Sequence, residues 1–402
     1  MQPVKQRYVI LDALRGFALL GICLANFPEF SLYSFLSAGE AAQLQTPGFD
    51  RVLRYLLYFF VDGKFYTIFS VLFGIGFSII LRNARAAGGT GMRFFYRRML
   101  CLLVIGLMHL WLLWSGDILT LYALLGMLLP LWWRCSDRTL LRWAAFFLLL
   151  PIAVDAVVEL ACLRPAGWFH DKQWALCARF GITEDNFAVW LRDADSYKGV
   201  FQFLMQGGFE RMTEFIGGNR YFKVMGLFLI GYYAGRQQFF ARLQEMQAVL
   251  RRIAARGFAL GIPVSLAYAW SGVNGHPWGL TAHTVLYTFS VFPMGFAYMA
   301  GLCLLYLRRQ ETGVWKALAA PGRMALSNYL FQTVCGMLLF YGIGLGLGAS
   351  LSLSLVLPIA FGVYLLGMGL SFLWIKYFRY GPVEWVWRIL TYGQFLPIRK
   401  KE

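Results

Sequence analysis

Residues 97–134 read RRMLCLLVIGLMHLWLLWSGDILTLYALLGMLLPLWWR. The two apolar runs in it, 99–114 and 118–133, each approach the ~20 residues that a helix needs to cross a bilayer. Only Trp114-Ser115-Gly116 separates them, so they predict a tight hairpin of membrane helices with arginines flanking its open end. Asp117 follows the turn and suits the N-cap of the second helix. His109 interrupts the first run, about twelve residues, or ~18 Å at 1.5 Å per residue, above Arg97 and Arg98.

The same pattern extends in both directions. Ten apolar segments centre on 9–27, 58–81, 99–114, 118–133, 140–162, 221–239, 256–272, 281–307, 324–349 and 353–375. The chain is 59% hydrophobic and 14% charged, with mean hydropathy +0.57. Soluble domains carry about 45–50% apolar and about 25% charged residues, so the expected architecture is all-α: a polytopic transmembrane helix bundle of about ten spans in one domain, 1–402. The first span carries Asp12 and Arg15 and no small-x-small site follows it, which argues against a cleaved signal peptide.

Charge fixes the expected orientation. Segments 1–8, 82–98, 134–142, 236–256, 308–323 and 376–402 hold 25 Lys+Arg and 5 Asp+Glu, against 10 and 11 in the opposite segments. Nearly all of the +17 net charge therefore lies on one face, which the positive-inside rule makes cytoplasmic, with both termini inside. The bacterial plasma (inner) membrane is the expected location. Aromatic residues sit within apolar runs rather than among basic ones, so the positive charge reads as topology and anionic-lipid contact, not as a nucleic-acid site. Residues 163–220 form the long extracytoplasmic insertion, whose amphipathic stretch from Asn186 to Phe215 predicts interfacial helices over the outer mouth.

The seven cysteines show no metal-ligand spacing, so no metal is expected, and only Cys162 and Cys177 share an extramembrane loop, which allows at most one disulfide. Gly342-x-Gly344-x-Gly346-x-Gly348 falls in an expected span and carries no dinucleotide signal. Gly231-x-x-x-Gly235 and Gly344-x-x-x-Gly348 predict close helix contacts.

Ionisable groups within spans are costly and mark functional candidates. Asp12 and Arg15 are i,i+3 and can pair. Asn26 lies eleven residues beyond Arg15, so about three turns and ~16 Å higher the same face returns. This stripe reads equally as a structural ion pair with an interhelical hydrogen bond. His109 is a general-base candidate at neutral pH, or a histidine bonded to a backbone carbonyl. Asp155 and Glu159 are i,i+4 and read as a wet face or a proton relay. Asp62 and Lys64 are expected at the outer interface.

Five stretches carry a family resemblance: LDALRGFALLGICLANF (11–27), FFVDGKFYTIFSVLFGIGFSIIL (59–81), RRMLCLLVIGLMHLWLLWSGDILTLYALLG (97–126), PGRMALSNYLFQT (321–333) and GPVEWVWRILTYG (381–393). Together they resemble the YeiB-like bacterial membrane proteins, a family of unknown function. The first helix is also similar to that of a wider transmembrane acyltransferase superfamily, which includes sugar O-acyltransferases of bacterial surface polysaccharides and heparan-α-glucosaminide N-acetyltransferase. That resemblance implies transfer of an acyl group from a cytoplasmic acyl-CoA-type donor to a glycan or lipid acceptor on the far side, with no covalently bound cofactor. The O-acyltransferase pattern places an Arg, ten residues and a His on the first helix; here Arg15 matches and Asn26 stands at the His position, as in the N-acetyltransferase branch. Gly322 to Tyr329 resembles a G-x-N-S/A-L-x-x-Y region of that branch and nominates Asn328 and Tyr329.

These residues define an expected site. His109 deprotonates the acceptor and Asp117 orients it, as the catalytic pair. Asp12, Arg15, Asn26, Arg323, Asn328 and Tyr329 bind substrate, with donor phosphates near Arg15, Arg97, Arg98 or Arg323. Two other classes fit the same sequence: a carrier of a small solute or lipid, and a structural membrane protein. A carrier would more often show paired, proline-interrupted spans and internal repeats.

Overall fold

The computed structural model of the chain describes residues 8–86, 89 and 91–400, and the tails 1–7 and 401–402 lie outside the described residues. The bundle opens with α1 (Val9–Phe30), followed by the short α2 (Ala38–Ala42) and α3 (Pro47–Leu56). A π-helical turn at Leu57–Val61 leads to α4 (Lys64–Ala86). The hairpin read from the sequence is α5 (Met92–Leu112) and α6 (Leu119–Leu128), and α7 (Asp137–Leu160) returns beside it. The insertion is helical: α8 (Gly167–Phe180), the single turns α9 (Glu184–Phe187) and α10 (Trp190–Asp193), and α11 (Tyr197–Gly217). Then come α12 (Arg220–Arg236), α13 (Gln247–Val273) and α14 (Gly279–Arg308). The chain closes with α15 (Gly313–Arg323), α16 (Ala325–Phe340), α17 (Leu353–Tyr377) and α18 (Pro382–Tyr392).

Each of the ten predicted segments coincides with a helix. Seven are long and apolar enough to cross a membrane; α6 with its 3₁₀ extension and α16 are apolar but shorter, and α12, with 17 residues, is in neither group. Pro130 lacks an N–H donor and ends the regular part of α6 early. The segment 324–349 is corrected at its far end: α16 stops at Phe340 and the glycine run lies in irregular chain. Gly344 and Gly348 there pack on their own chain at Leu338 and Phe340, whereas Gly231 and Gly235 do bring α12 against α4 at Val71 and Ser78.

α1 is apolar on nearly every side and sits at the centre, packed by α15, α17, α4 and α16. At the periphery Leu149, Leu266 and Leu366 of α7, α13 and α17 are exposed. Such bare apolar faces need lipid rather than water. The approach of α15 to α1 depends on two facing glycines: a Cβ on Gly16 would strike the Leu318 carbonyl, and one on Gly322 the Asp12 carbonyl. Gly322→Ala is therefore expected to cost about 1–3 kcal/mol through overpacking. Thermal unfolding in detergent checks this, with Gly362→Ala, whose Cβ would meet nothing, as the unchanged control.

Carboxylates hold helix N-termini from neighbouring elements, where free N–H groups and the helix dipole favour negative charge. Asp50 accepts from Leu353 and Ser354 N–H at the start of α17. Glu159 accepts from Leu280 and Thr281 N–H at the start of α14. Asp155, four residues earlier, is buried and takes hydrogen bonds from Asn219 Nδ2 (2.6 Å) and Thr284 Oγ1 (2.5 Å). Both carboxylates thus tie helices together through separate partners. Lys64 is fully buried within the protein and donates to the Tyr58 carbonyl at 2.6 Å, because the Asp62–Gly63 turn, with Gly63 at φ 72°, folds the chain back there. Cys162 and Cys177 are both free thiols, one exposed and one buried.

Candidate active site

A cavity of about 1150 Å³ opens at the basic end of the bundle. The start of α1, the end of α4, the start of α5 and the α15–α16 junction frame its mouth, and α18 lies across it. Five arginines line it, Arg15, Arg82, Arg98, Arg323 and Arg388, against two carboxylates, Asp12 and Glu384. Both carboxylates are engaged. Arg15 Nη1 donates to Asp12 at 2.9 Å, as the i,i+3 spacing predicts. Glu384 caps α16, accepting from Leu326 N–H, Ser327 N–H and Ser327 Oγ at 2.7, 3.0 and 2.5 Å. Burial pushes its carboxyl above the usual range, while the hydrogen bonds pull the other way. Arg98 stacks on Trp387, 3.7 Å from ring to guanidinium carbon, while the Trp387 indole donates to the Arg98 carbonyl. This fixes α18 on α5 through cation–π attraction and a hydrogen bond.

Further in, the walls turn apolar with Leu19, Ile22, Phe69, Phe73 and Leu102, and three phenols, Tyr66, Tyr122 and Tyr329, stand among them. The cavity therefore suits a molecule with a polyanionic head and an extended, largely apolar arm. Its volume is just above the usual range for small-molecule pockets, about 300–1,000 Å³.

Behind Tyr329 lies a buried dyad. His109 occupies the last turn of α5, and Asp117 lies in the connection 113–118 just before α6. Nδ1 of His109 and Oδ1 of Asp117 are 2.9 Å apart, both side chains fully buried. Asp117 also accepts from Leu119 N–H (3.1 Å) and Thr120 N–H (2.7 Å), the cap expected from the sequence. An aspartate that receives backbone donors on both oxygens acts as an acceptor, so Nδ1 carries the imidazole proton and Nε2 is the basic nitrogen. Nε2 faces Thr333 Oγ1 at 3.0 Å. The Tyr329 ring packs against the imidazole, 5.0 Å between centroids, with Trp114 on another side.

Local sequence explains why these parts meet. Gly106 lets α5 close on α6 at Thr120, and Gly207 and Gly208 let α11 press onto Ser115 and Trp111. From α11, Arg211 Nε donates to the Ser115 carbonyl at 2.9 Å and pairs with Glu214. Arg211 also lies within electrostatic range of Asp117, Glu29 and Tyr329. The insertion thus covers the side of the dyad away from the cavity.

Residues 234–394 match the family described as Protein of unknown function (DUF418). The chain is 28% identical to the uncharacterized protein YxaH of Bacillus subtilis (strain 168), covering all of this chain and 98% of that one. It is 27% identical to the uncharacterized protein YeiB of Escherichia coli (strain K12), over 96% of each chain. The chain is YeiB-like along nearly its whole length. An uncharacterized 39.9 kDa protein of Bacillus acidopullulyticus is similar too, at 28% identity over all of this chain and 99% of that one. No solved structure matches. The DUF418 match takes in Arg323, Tyr329, Thr333, Glu384 and Arg388, but not α5 and α6 with His109 and Asp117.

Within this YeiB-like chain the expected site divides into three. Asp12, Arg15, Arg323 and Tyr329 line the cavity together. His109 and Asp117 form the dyad behind Tyr329; His109 is not on the cavity wall, and it stands in the last turn of α5, which ends at Leu112 rather than continuing to 114. Asn26 and Asn328 stand apart from both. Asn328 donates to Ser371 Oγ at 2.8 Å and to the Met324 carbonyl at 3.0 Å, joining α16 to α17. Arg97 is exposed at the mouth's outer rim and does not line the cavity. Sequence reasoning missed Arg82, Arg388 and Thr333. Arg388 had a signal, its i,i+4 spacing from Glu384 in a short amphipathic helix after the last span. Thr333 had none: a threonine in an apolar helix usually bonds its own backbone.

Proposed function

We propose that the protein is an integral-membrane acyltransferase of the bacterial plasma membrane. It takes an acyl group from a cytoplasmic acyl-CoA-type donor and passes it to a hydroxyl or amine acceptor from the outer side. One observation carries this reading: a cavity with a cationic mouth and an apolar depth ends against a tyrosine that packs on a buried His–Asp dyad. The arginines would hold the donor's phosphates, the apolar walls its arm and acyl chain, and His109 would act as general base. Binding by the mouth would hold the reacting carbonyl at the Tyr329 wall, in front of the buried dyad, which lowers the entropic part of the barrier.

Coenzyme A binding tests the first half of this. Wild-type protein in lipid nanodiscs is expected to bind CoA, and Arg82→Ala or Arg388→Ala to weaken it about tenfold each, ~1.4 kcal/mol. The affinity should fall as salt rises. Absence of binding at millimolar CoA, or unchanged affinity in both variants, would refute the assignment of the mouth.

A carrier is the second reading, and a separate polar cluster favours it. Lys223 is buried over the Tyr287 ring at 4.0 Å, and Tyr287 donates to Tyr66, which lines the cavity. Uptake of labelled solute with its covalent structure unchanged would support that reading over chemistry.

A further inference from the structure

We propose that Thr333 is a nucleophile and that the acyl group crosses the site as a threonine ester. This rests on the acyl-transfer reading and adds a residue and an intermediate to it. Three groups stand in line: Thr333 Oγ1 is 3.0 Å from His109 Nε2, and His109 Nδ1 is 2.9 Å from Asp117 Oδ1. A hydroxyl within hydrogen-bond reach of a base that a third group orients is the arrangement that activates a nucleophile. With the proton on Nδ1, Nε2 accepts from the threonine hydroxyl; the alternative acceptor, the Tyr329 carbonyl, is farther, at 3.3 Å.

Position supports the same assignment. Thr333 is fully buried and does not itself line the cavity, but it stands one helical turn beyond Tyr329 on α16, which does. Ile118 and Leu119, next to Asp117, line the cavity's inner end as well. The buried Tyr329 hydroxyl faces the Ile118 backbone N–H, and its own proton has no acceptor among the described residues. An O–H donor left free beside the reaction path suits the oxyanion of a tetrahedral intermediate.

The chemistry balances in two halves. In the first, the Thr333 hydroxyl proton passes to His109 Nε2 while Oγ1 attacks the thioester carbonyl carbon. The C–S bond then breaks, the thiolate takes the proton from His109, and free CoA thiol leaves as the ester remains on Thr333. In the second, the acceptor's O–H or N–H gives its proton to Nε2 and attacks the ester carbonyl. The C–Oγ1 bond breaks and the proton returns to Oγ1. Neither half changes an oxidation state. The acceptor never meets CoA, which lets the donor stay at the basic mouth while the acceptor arrives behind the dyad.

The probe is acetyl-CoA labelled in its acetyl group, given to the full-length protein in nanodiscs without acceptor. Wild type is expected to release a burst of about one thiol per protein and to carry the acetyl group at Thr333 in peptide mass mapping. Thr333→Ser should keep the burst and the adduct. Thr333→Val, which removes the hydroxyl but keeps the shape, should lower thiol release on the order of 10³-fold and carry no adduct. Thiol release undiminished in Thr333→Val, or an adduct on His109 instead, would overturn the nucleophile and leave acyl transfer standing. No thiol release from wild type would overturn both.

Discussion

If the proposed acyl transfer holds, thiol release from acetyl-CoA is expected to fall about 10³-fold or more in His109→Ala, because general acid–base catalysis, worth roughly 10²–10⁴, would be lost from both proposed halves. The structure adds a cost to the fold. Asp117 would keep its two backbone donors but lose the imidazole, in a place with no exposed surface. Truncating a buried partner of a hydrogen-bonded pair destabilises by about 3–5 kcal/mol at the upper end. His109→Gln is therefore made alongside: it can still donate to Asp117 but cannot relay a proton. Elution as a single species by size-exclusion chromatography, with a thermal unfolding transition, shows that each variant is folded. A folded variant that releases thiol at the wild-type rate would remove His109 from the chemistry.

Asp117→Asn should leave the helix cap largely in place and still lower the rate on the order of 10³–10⁴-fold, as the wrong imidazole tautomer does in a serine-protease triad. The asparagine carbonyl can accept from Thr120 or Leu119 N–H, as Asp117 does. Its amide then faces His109 Nδ1 as a donor, so the imidazole proton moves to Nε2. Nε2 then donates towards Thr333 and no longer accepts its proton. Asp117→Ala removes cap and orienter together and should also unfold more readily, by about 1 kcal/mol or more from the cap alone. The two variants separate tautomer from stability. Equal rates in Asp117→Asn and wild type would show that the orientation of His109 does not matter.

The sequence determined the membrane bundle. Runs of apolar residues near the length of a bilayer, such as 353–375, leave few alternatives, because backbone polar groups in lipid must be satisfied within the segment. Local spacing determined the Asp12–Arg15 pair and the Asp117 cap, both set within one helical turn. The hairpin 97–134 placed His109 and Asp117 near one another for the same reason: the short connection 113–118 between two helices leaves little freedom.

Only the tertiary structure decided the rest. Thr333 is 224 residues from His109, and nothing in its helix distinguishes it from a threonine bonded to its own backbone. The cavity draws Arg15, Arg98, Arg323 and Arg388 from four separated segments. Arg97 and Arg98 are neighbours in sequence, yet Arg98 enters the cavity and Arg97 does not, because successive helical residues are turned by about 100°. Asn328 and Tyr329 part in the same way, one to α17 and one to the cavity. Asp155 and Glu159 could not be assigned from spacing, since what each carboxylate does depends on which N–H or hydroxyl another helix brings to it. Composition and periodicity specify which faces are apolar, while long-range packing specifies which polar groups meet between them.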